Sequence, residues 1–135
     1  MAFTGNYTCN SFKSGLIDAD FDFATDTFKM ALYTNDATLN ADTAAYTATG
    51  EVSASGYTAG GVALTVEKGT ANNTAYISFE NVTISAAFTA RGALIYKDGG
   101  AAVCVLDFGS DKTSTTAFNV TFPTASSTDA LIRLS

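Results

Sequence analysis

Gly92-Ala93-Leu94-Ile95-Tyr96-Lys97-Asp98-Gly99-Gly100-Ala101-Ala102-Val103-Cys104-Val105-Leu106-Asp107-Phe108 holds two apolar runs joined by a turn signal. Asp-Gly supplies the positive backbone angles that a tight turn requires, so Lys97-Asp98-Gly99-Gly100 predicts a hairpin between Tyr96 and Ala101. The runs around Ile95 and Val105 are apolar on successive residues, which predicts central strands covered on both faces.

Working outward, short runs of the same kind recur. Val62-Ala63-Leu64-Thr65-Val66, Ala75-Tyr76-Ile77-Ser78-Phe79, Val82-Thr83-Ile84, Phe118-Asn119-Val120-Thr121-Phe122 and Ala130-Leu131-Ile132-Arg133-Leu134 each have strand length. Asn72-Asn73, Gly109-Ser110-Asp111 and Pro123 stand between runs as turn signals. Upstream, residues 27–34 alternate, with Phe28, Met30 and Leu32 on one face and Lys29, Ala31 and Tyr33 on the other. These runs predict an all-β fold, a single-domain antiparallel β-sandwich over residues 1–135, jelly-roll-like, with at most one short N-terminal helix. No fixed-period repeat is visible, which argues against a propeller or solenoid.

The helix is expected after a cap at Asn10 or Ser11, with Phe12, Leu16 and Ile17 on one side and Gly15 weakening it. Beyond it, Phe21 and Phe23 alternate with Asp20, Asp22 and Ala24, which predicts a strand with aromatics inward and carboxylates outward. Residues 1–12 precede the first clear strand and carry Phe3, Tyr7 and Phe12 with little local structure to hide them. They are expected to form an arm that contacts a neighbouring subunit.

Residues 35–61 are polar, small and rich in turn signals, too long for an unstructured connection inside a compact domain. Residues 51–53 are expected to pair briefly, with the remainder a packed functional loop. Tyr46 and Tyr57 are its anchors, and two readings of them stay open. They tuck the loop onto the sandwich, or they form a contact surface for a partner.

A chain of 135 residues fits one domain, in which about two-thirds of the unfolded surface is buried. Its formal charge is −6, and its seven basic residues stand singly along the sequence. Binding to phosphate backbones needs clustered Lys and Arg, so neither nucleic acid nor an anionic membrane is an expected partner. No stretch approaches the ~18 apolar residues of a membrane helix. The opening residues lack the basic start and apolar run of a secretion signal, so the chain is expected to stay in a cytoplasm until lysis. Four Asn-x-Thr matches therefore carry no weight. Cys9 and Cys104 follow no metal spacing, and Cys104 reads as a small buried hydrophobe.

The chain has no histidine. Its serines and threonines therefore lack the usual base, and a non-enzymatic protein without cofactor, metal or small-molecule substrate is expected. Asp18-Ala19-Asp20-Phe21-Asp22 resembles the start of a calcium loop, but Phe23 stands where the turn glycine belongs and Lys29 where the bidentate glutamate belongs. A weak cation site of another kind stays open there. So does a two-carboxylate glycosidase pair of Asp107 with Glu80 or Glu67.

The opening Met1-Ala2-Phe3-Thr4-Gly5-Asn6-Tyr7-Thr8-Cys9-Asn10-Ser11-Phe12-Lys13 joins two further sets of phrases. One is Thr27-Phe28-Lys29-Met30-Ala31-Leu32-Tyr33-Thr34-Asn35-Asp36-Ala37-Thr38-Leu39 with the later Gly56-Tyr57-Thr58-Ala59-Gly60-Gly61, the other Ala90-Arg91-Gly92-Ala93-Leu94-Ile95-Tyr96 followed by Val103-Cys104-Val105-Leu106-Asp107-Phe108-Gly109 and Leu131-Ile132-Arg133-Leu134. Together they resemble a small virion structural protein of tailed bacteriophages of marine and freshwater bacteria. The resemblance implies a structural part of the virion that partners the major capsid protein, copies of itself, or both. A capsid decoration or cement protein is the first expectation, and a tail-tip, baseplate or fibre-associated protein with host recognition is the alternative.

Overall fold

A computed structural model describes residues 3–135. Along the chain come β1 (Tyr7–Thr8), α1 (Asn10–Ile17), β2 (Phe28–Tyr33), β3 (Val62–Leu64), β4 (Val66–Ala71), β5 (Thr74–Phe79), β6 (Val82–Ile84), β7 (Thr89–Lys97), β8 (Ala102–Thr113), β9 (Phe118–Val120) and β10 (Ile132–Leu134). This is an all-β, single-domain sandwich with one short helix.

The predicted hairpin is β7 and β8. Gly100 N–H donates to the Lys97 carbonyl, and Gly99 takes φ +74°, which its missing Cβ permits. The pair forms the middle of a five-stranded antiparallel sheet in the order β1-β8-β7-β2-β3. A register shift between the Ile95–Cys104 and Tyr96–Ala102 pairs leaves Val103 as an additional residue on β8. That bulge turns both Val103 and Cys104 toward the same core.

Two cores lie on opposite faces of this sheet, as the unbroken apolar runs predict. One joins Phe28, Met30, Leu32, Ala93 and Ile95 to Phe79, Ile84, Phe118 and Val120 from the smaller sheets β10-β5-β4 and β6-β9. The other joins Ala31, Tyr33, Leu94 and Val105 to Phe3, Cys9, Ala37 and Leu39. The N-terminal segment and the long loop therefore serve as the second cover of the sheet. Cys9 and Cys104 belong to different cores, which explains why both thiols are free.

Several expectations need correction. The run Val62 to Val66 is two strands, because the chain leaves one sheet at Thr65 and enters the other. Gly109-Ser110-Asp111 is not a turn between strands. It lies within β8, where four residues, 108–111, bulge out opposite the single residue Arg91. Residues 18–27 form turns rather than a strand, although Phe21 and Phe23 do point inward. Their rings join Phe12 and Phe28, with Phe23 and Phe28 stacked at 4.4 Å. In α1, Phe12 is buried and Gly15 lies against Phe21, while Ile17 is 87% exposed. The cap residue is Cys9, one position earlier than expected.

The arm proposed for residues 1–12 is also corrected, its first two residues lying outside the described ones. Phe3 is 1% exposed, and its ring fills the space above Gly92 that a Cβ would occupy. Phe12 is equally buried, so these aromatics are committed to the chain's own cores.

Candidate functional site

The long loop 35–61 is fastened to the sheet by one carboxylate. Glu51 bridges to Tyr33, and Val52 N–H donates to the Leu32 carbonyl, so the expected pairing at residues 51–53 is present. From there the Glu51 carboxylate accepts three hydrogen bonds. Tyr46 donates to Oε1 at 2.6 Å, and Tyr57 and Gly60 N–H donate to Oε2 at 2.7 and 2.8 Å.

The network extends into the sheet on both sides. Tyr57 Oη also accepts from Leu32 N–H at 2.9 Å, occupying the edge of β2 beyond the end of β3. Tyr33 donates to the Thr47 carbonyl at 2.7 Å, and Tyr96 to the Gly60 carbonyl at 2.6 Å. Gly61, at φ +85°, lies against the Met30 carbonyl so closely that no Cβ fits there. Four tyrosines and one glutamate thus hold the second half of the loop, from residue 46 to residue 60.

The electrostatics follow from this arrangement. Its hydrogen bond to the Glu51 carboxylate pushes the Tyr46 hydroxyl up to about 12, since losing the proton would set two negative charges together. Burial raises Tyr33, Tyr57 and Tyr96 above the usual tyrosine range, and the Glu51 charge adds to each. Near neutral pH every one of these hydroxyls remains protonated and able to donate.

Of the five residues predicted to make contacts, Tyr46 and Tyr57 are brought together here, and the other three are not. Tyr57 is 9% exposed, so its ring offers no outward face. Tyr46 is half-buried, its ring 5.2 Å from that of Tyr96, at the rim of an open depression of about 450 Å³ also lined by Lys29, Gly60 and Asp98. Tyr7, on β1, is half-buried against the same core as Tyr46, its hydroxyl 2.6 Å from that of Thr4. Phe3 and Phe12 are interior.

Sequence reasoning missed Glu51 as the hub and Tyr33 and Tyr96 as partners. One signal was available: Glu51 is the only charged residue between Asp42 and Glu67, and Tyr46 and Tyr57 flank it. A second unread pair is Arg91 with Asp107, 3.2 Å apart and each about one-tenth exposed, facing the β8 bulge. Asp107 Oδ1 also accepts from Gly109 N–H, and the Asp107 N–H donates to Asn6.

That pairing decides the fate of the carboxylate pair considered for glycosidase chemistry. Glu67 and Glu80 line a depression with Phe79 and Phe122, which Asp107 does not enter. The aspartates after α1 also diverge. Asp22 accepts from Ala24 N–H, which holds its carboxyl below the usual range, and the Asp22 N–H donates to Asp26. Among the described residues no three His, Cys, Asp or Glu side chains converge as metal ligands, and no helix is long and apolar enough to cross a membrane. No protein-family model, no curated protein and no solved structure matches this chain.

Proposed function

We propose that this chain is a non-enzymatic structural subunit of a tailed-phage virion, placed on the capsid as a decoration or cement protein. The observation that carries the reading is the Glu51 lock. The loop is fastened by three hydrogen bonds to one carboxylate, with Tyr57 buried beneath it and only part of Tyr46 left at the surface. A cement protein works through such fixed surfaces, repeated over many copies, and needs no reactive group. The resemblance of the sequence to small virion proteins supports the same reading, as does the absence of histidine. The partners are the major capsid protein and neighbouring copies.

Tail-tip or baseplate recognition of a host is the second reading. It rests on Tyr46, whose half-exposed ring borders the depression with Lys29 and Asp98. Locating the chain by cryo-electron microscopy of the particle tests both. Density on the head lattice is expected. Density at the tail alone overturns the capsid reading, and absence from the particle overturns both.

A further inference from the structure

We propose that copies of this chain associate head-to-tail, the Leu16–Ile17 knob of one copy seating in the groove between β8 and β9 of the next. The inference deepens the structural role above and rests on it for its setting. Ile17 is 87% exposed and Leu16 36%, on the last turn of α1. Among the described residues neither core includes them, and an isoleucine left in water at a helix end loses the stabilisation that burial would give.

A matching recess lies elsewhere on the same molecule. The segment 114–117 joins β8 to β9, yet these strands do not pair with each other. Among the described residues β9 pairs only with β6, in a two-stranded sheet. The groove between β8 and β9 measures about 440 Å³ and has an apolar floor of Phe108, Ala117, Phe118 and Val120. Lys112 stands on its wall.

Charge fits the same docking. Asp18 directly follows Ile17 and caps α1, where the unpaired helix carbonyls add partial negative charge. Lys112 is exposed, and neither it nor Asp18 forms an ion pair among the described residues. Seating Ile17 on the groove floor brings Asp18 toward Lys112.

The placement of the two features dictates the symmetry. Ser11 of α1 donates to the carbonyl of Ala102, the first residue of β8, while the groove lies along the last residues of that strand. Because of its bulges β8 covers only the stretch of β7 from Thr89 to Tyr96, roughly 23 Å at about 3.3 Å per residue. The chain just after α1 lies at the far end of that stretch, where Lys97 donates to the Asp20 carbonyl, so knob and groove cannot meet within one copy. Contacts between unlike surfaces repeat into rings or rows rather than closing as a dimer. Each contact is small, hence weak for a single pair and effective when a lattice repeats it.

Sedimentation across a wide concentration series tests the proposal on the full chain, Ile17→Asp, Lys112→Glu, and the charge swap Asp18→Lys with Lys112→Asp. The natural chain is expected to gain average mass with concentration. The first two variants should need at least tenfold higher concentration for the same mass, and the swap should recover most of the loss. Circular dichroism checks that each variant keeps the fold, which exposed positions favour. A natural chain that stays monomeric to its solubility limit overturns the proposal, as does Ile17→Asp associating like the natural chain. A monomer that nevertheless decorates particles would remove this contact and leave the structural role standing, whereas a self-associating chain absent from particles would do the reverse.

Discussion

Replacing Glu51 with alanine removes the acceptor of three hydrogen bonds at once, from Tyr46, Tyr57 and Gly60 N–H. A hydrogen bond to a charged group contributes about 1.5–3 kcal/mol. Glu51 is half-buried, so the low end applies, and Tyr46 and Gly60 N–H recover part of their share from water. Tyr57 cannot, because its ring is buried and the O–H it gives to Glu51 would be left without an acceptor. These considerations place Glu51→Ala at about 4 kcal/mol, or roughly 12–16 °C in Tm for a domain of this size. Glu51→Gln should recover less than about half of this, since its amide presents a donor where the carboxylate accepted. Tyr57→Phe strands the Leu32 amide and should cost about 1–3 kcal/mol. Urea denaturation of both single variants and the double variant closes a cycle, with an expected coupling of about 1–2 kcal/mol. A loss below about 1 kcal/mol for Glu51→Ala would refute the lock as the loop's main fastening.

Alkaline titration should show a second signature of the same cluster. The tyrosine hydroxyls are raised above an ordinary value of 10, Tyr46 to about 12, so their stabilisation is complete below pH 10 and declines as the pH rises toward 12. Thermal melts at pH 9, 10 and 11 check this, and an unchanged Tm across the series would contradict it. Burial pushes the Cys9 thiol up to about 11 and Cys104 higher still, so a thiol reagent at pH 8 should label neither until denaturant is added. Rapid labelling of the native chain would show that one of the two cores opens. Phe3→Ala should cost about 3–5 kcal/mol, as an interior phenylalanine does, and Gly92→Ala should be similarly harmful because its Cβ would fall 2.4 Å from the Phe3 ring. A silent Phe3→Ala would restore the arm reading of the N-terminus.

The central hairpin could be read directly because turn chemistry and unbroken apolar runs are local signals, and β7 and β8 obey them. The helix at residues 10–17 was legible from its apolar spacing, although of Phe12, Leu16 and Ile17 only Phe12 is buried. The fates of Phe3 and Glu51 were not, since each is decided by a residue far along the chain: Gly92 leaves room for one, and the edge of β2 positions the other. Residues 18–27 misled because aromatic alternation reads alike in a strand and in turns that stack Phe21, Phe23 and Phe28. Likewise Gly109 signals a turn, and the chain uses its φ of +83° for a bulge inside β8 instead. Of the two readings of Tyr46 and Tyr57, the loop-anchor one is seen in the fold, but that both share the Glu51 carboxylate is a tertiary fact with no local signature.

The hydrogen bond from Leu32 N–H to the Tyr57 hydroxyl gives the fold a built-in clock. Neighbouring amides of β2 bond to backbone carbonyls of β7 or β3 and wait for the sheet to separate before trading protons with solvent. The Leu32 amide waits only for the loop to lift. Its deuterium exchange rate, compared with that of Ala31 and Tyr33 on either side, therefore times the opening of residues 35–61 separately from unfolding of the sandwich. In an assembled particle, a slowing confined to that one proton would report that a neighbour rests on the loop.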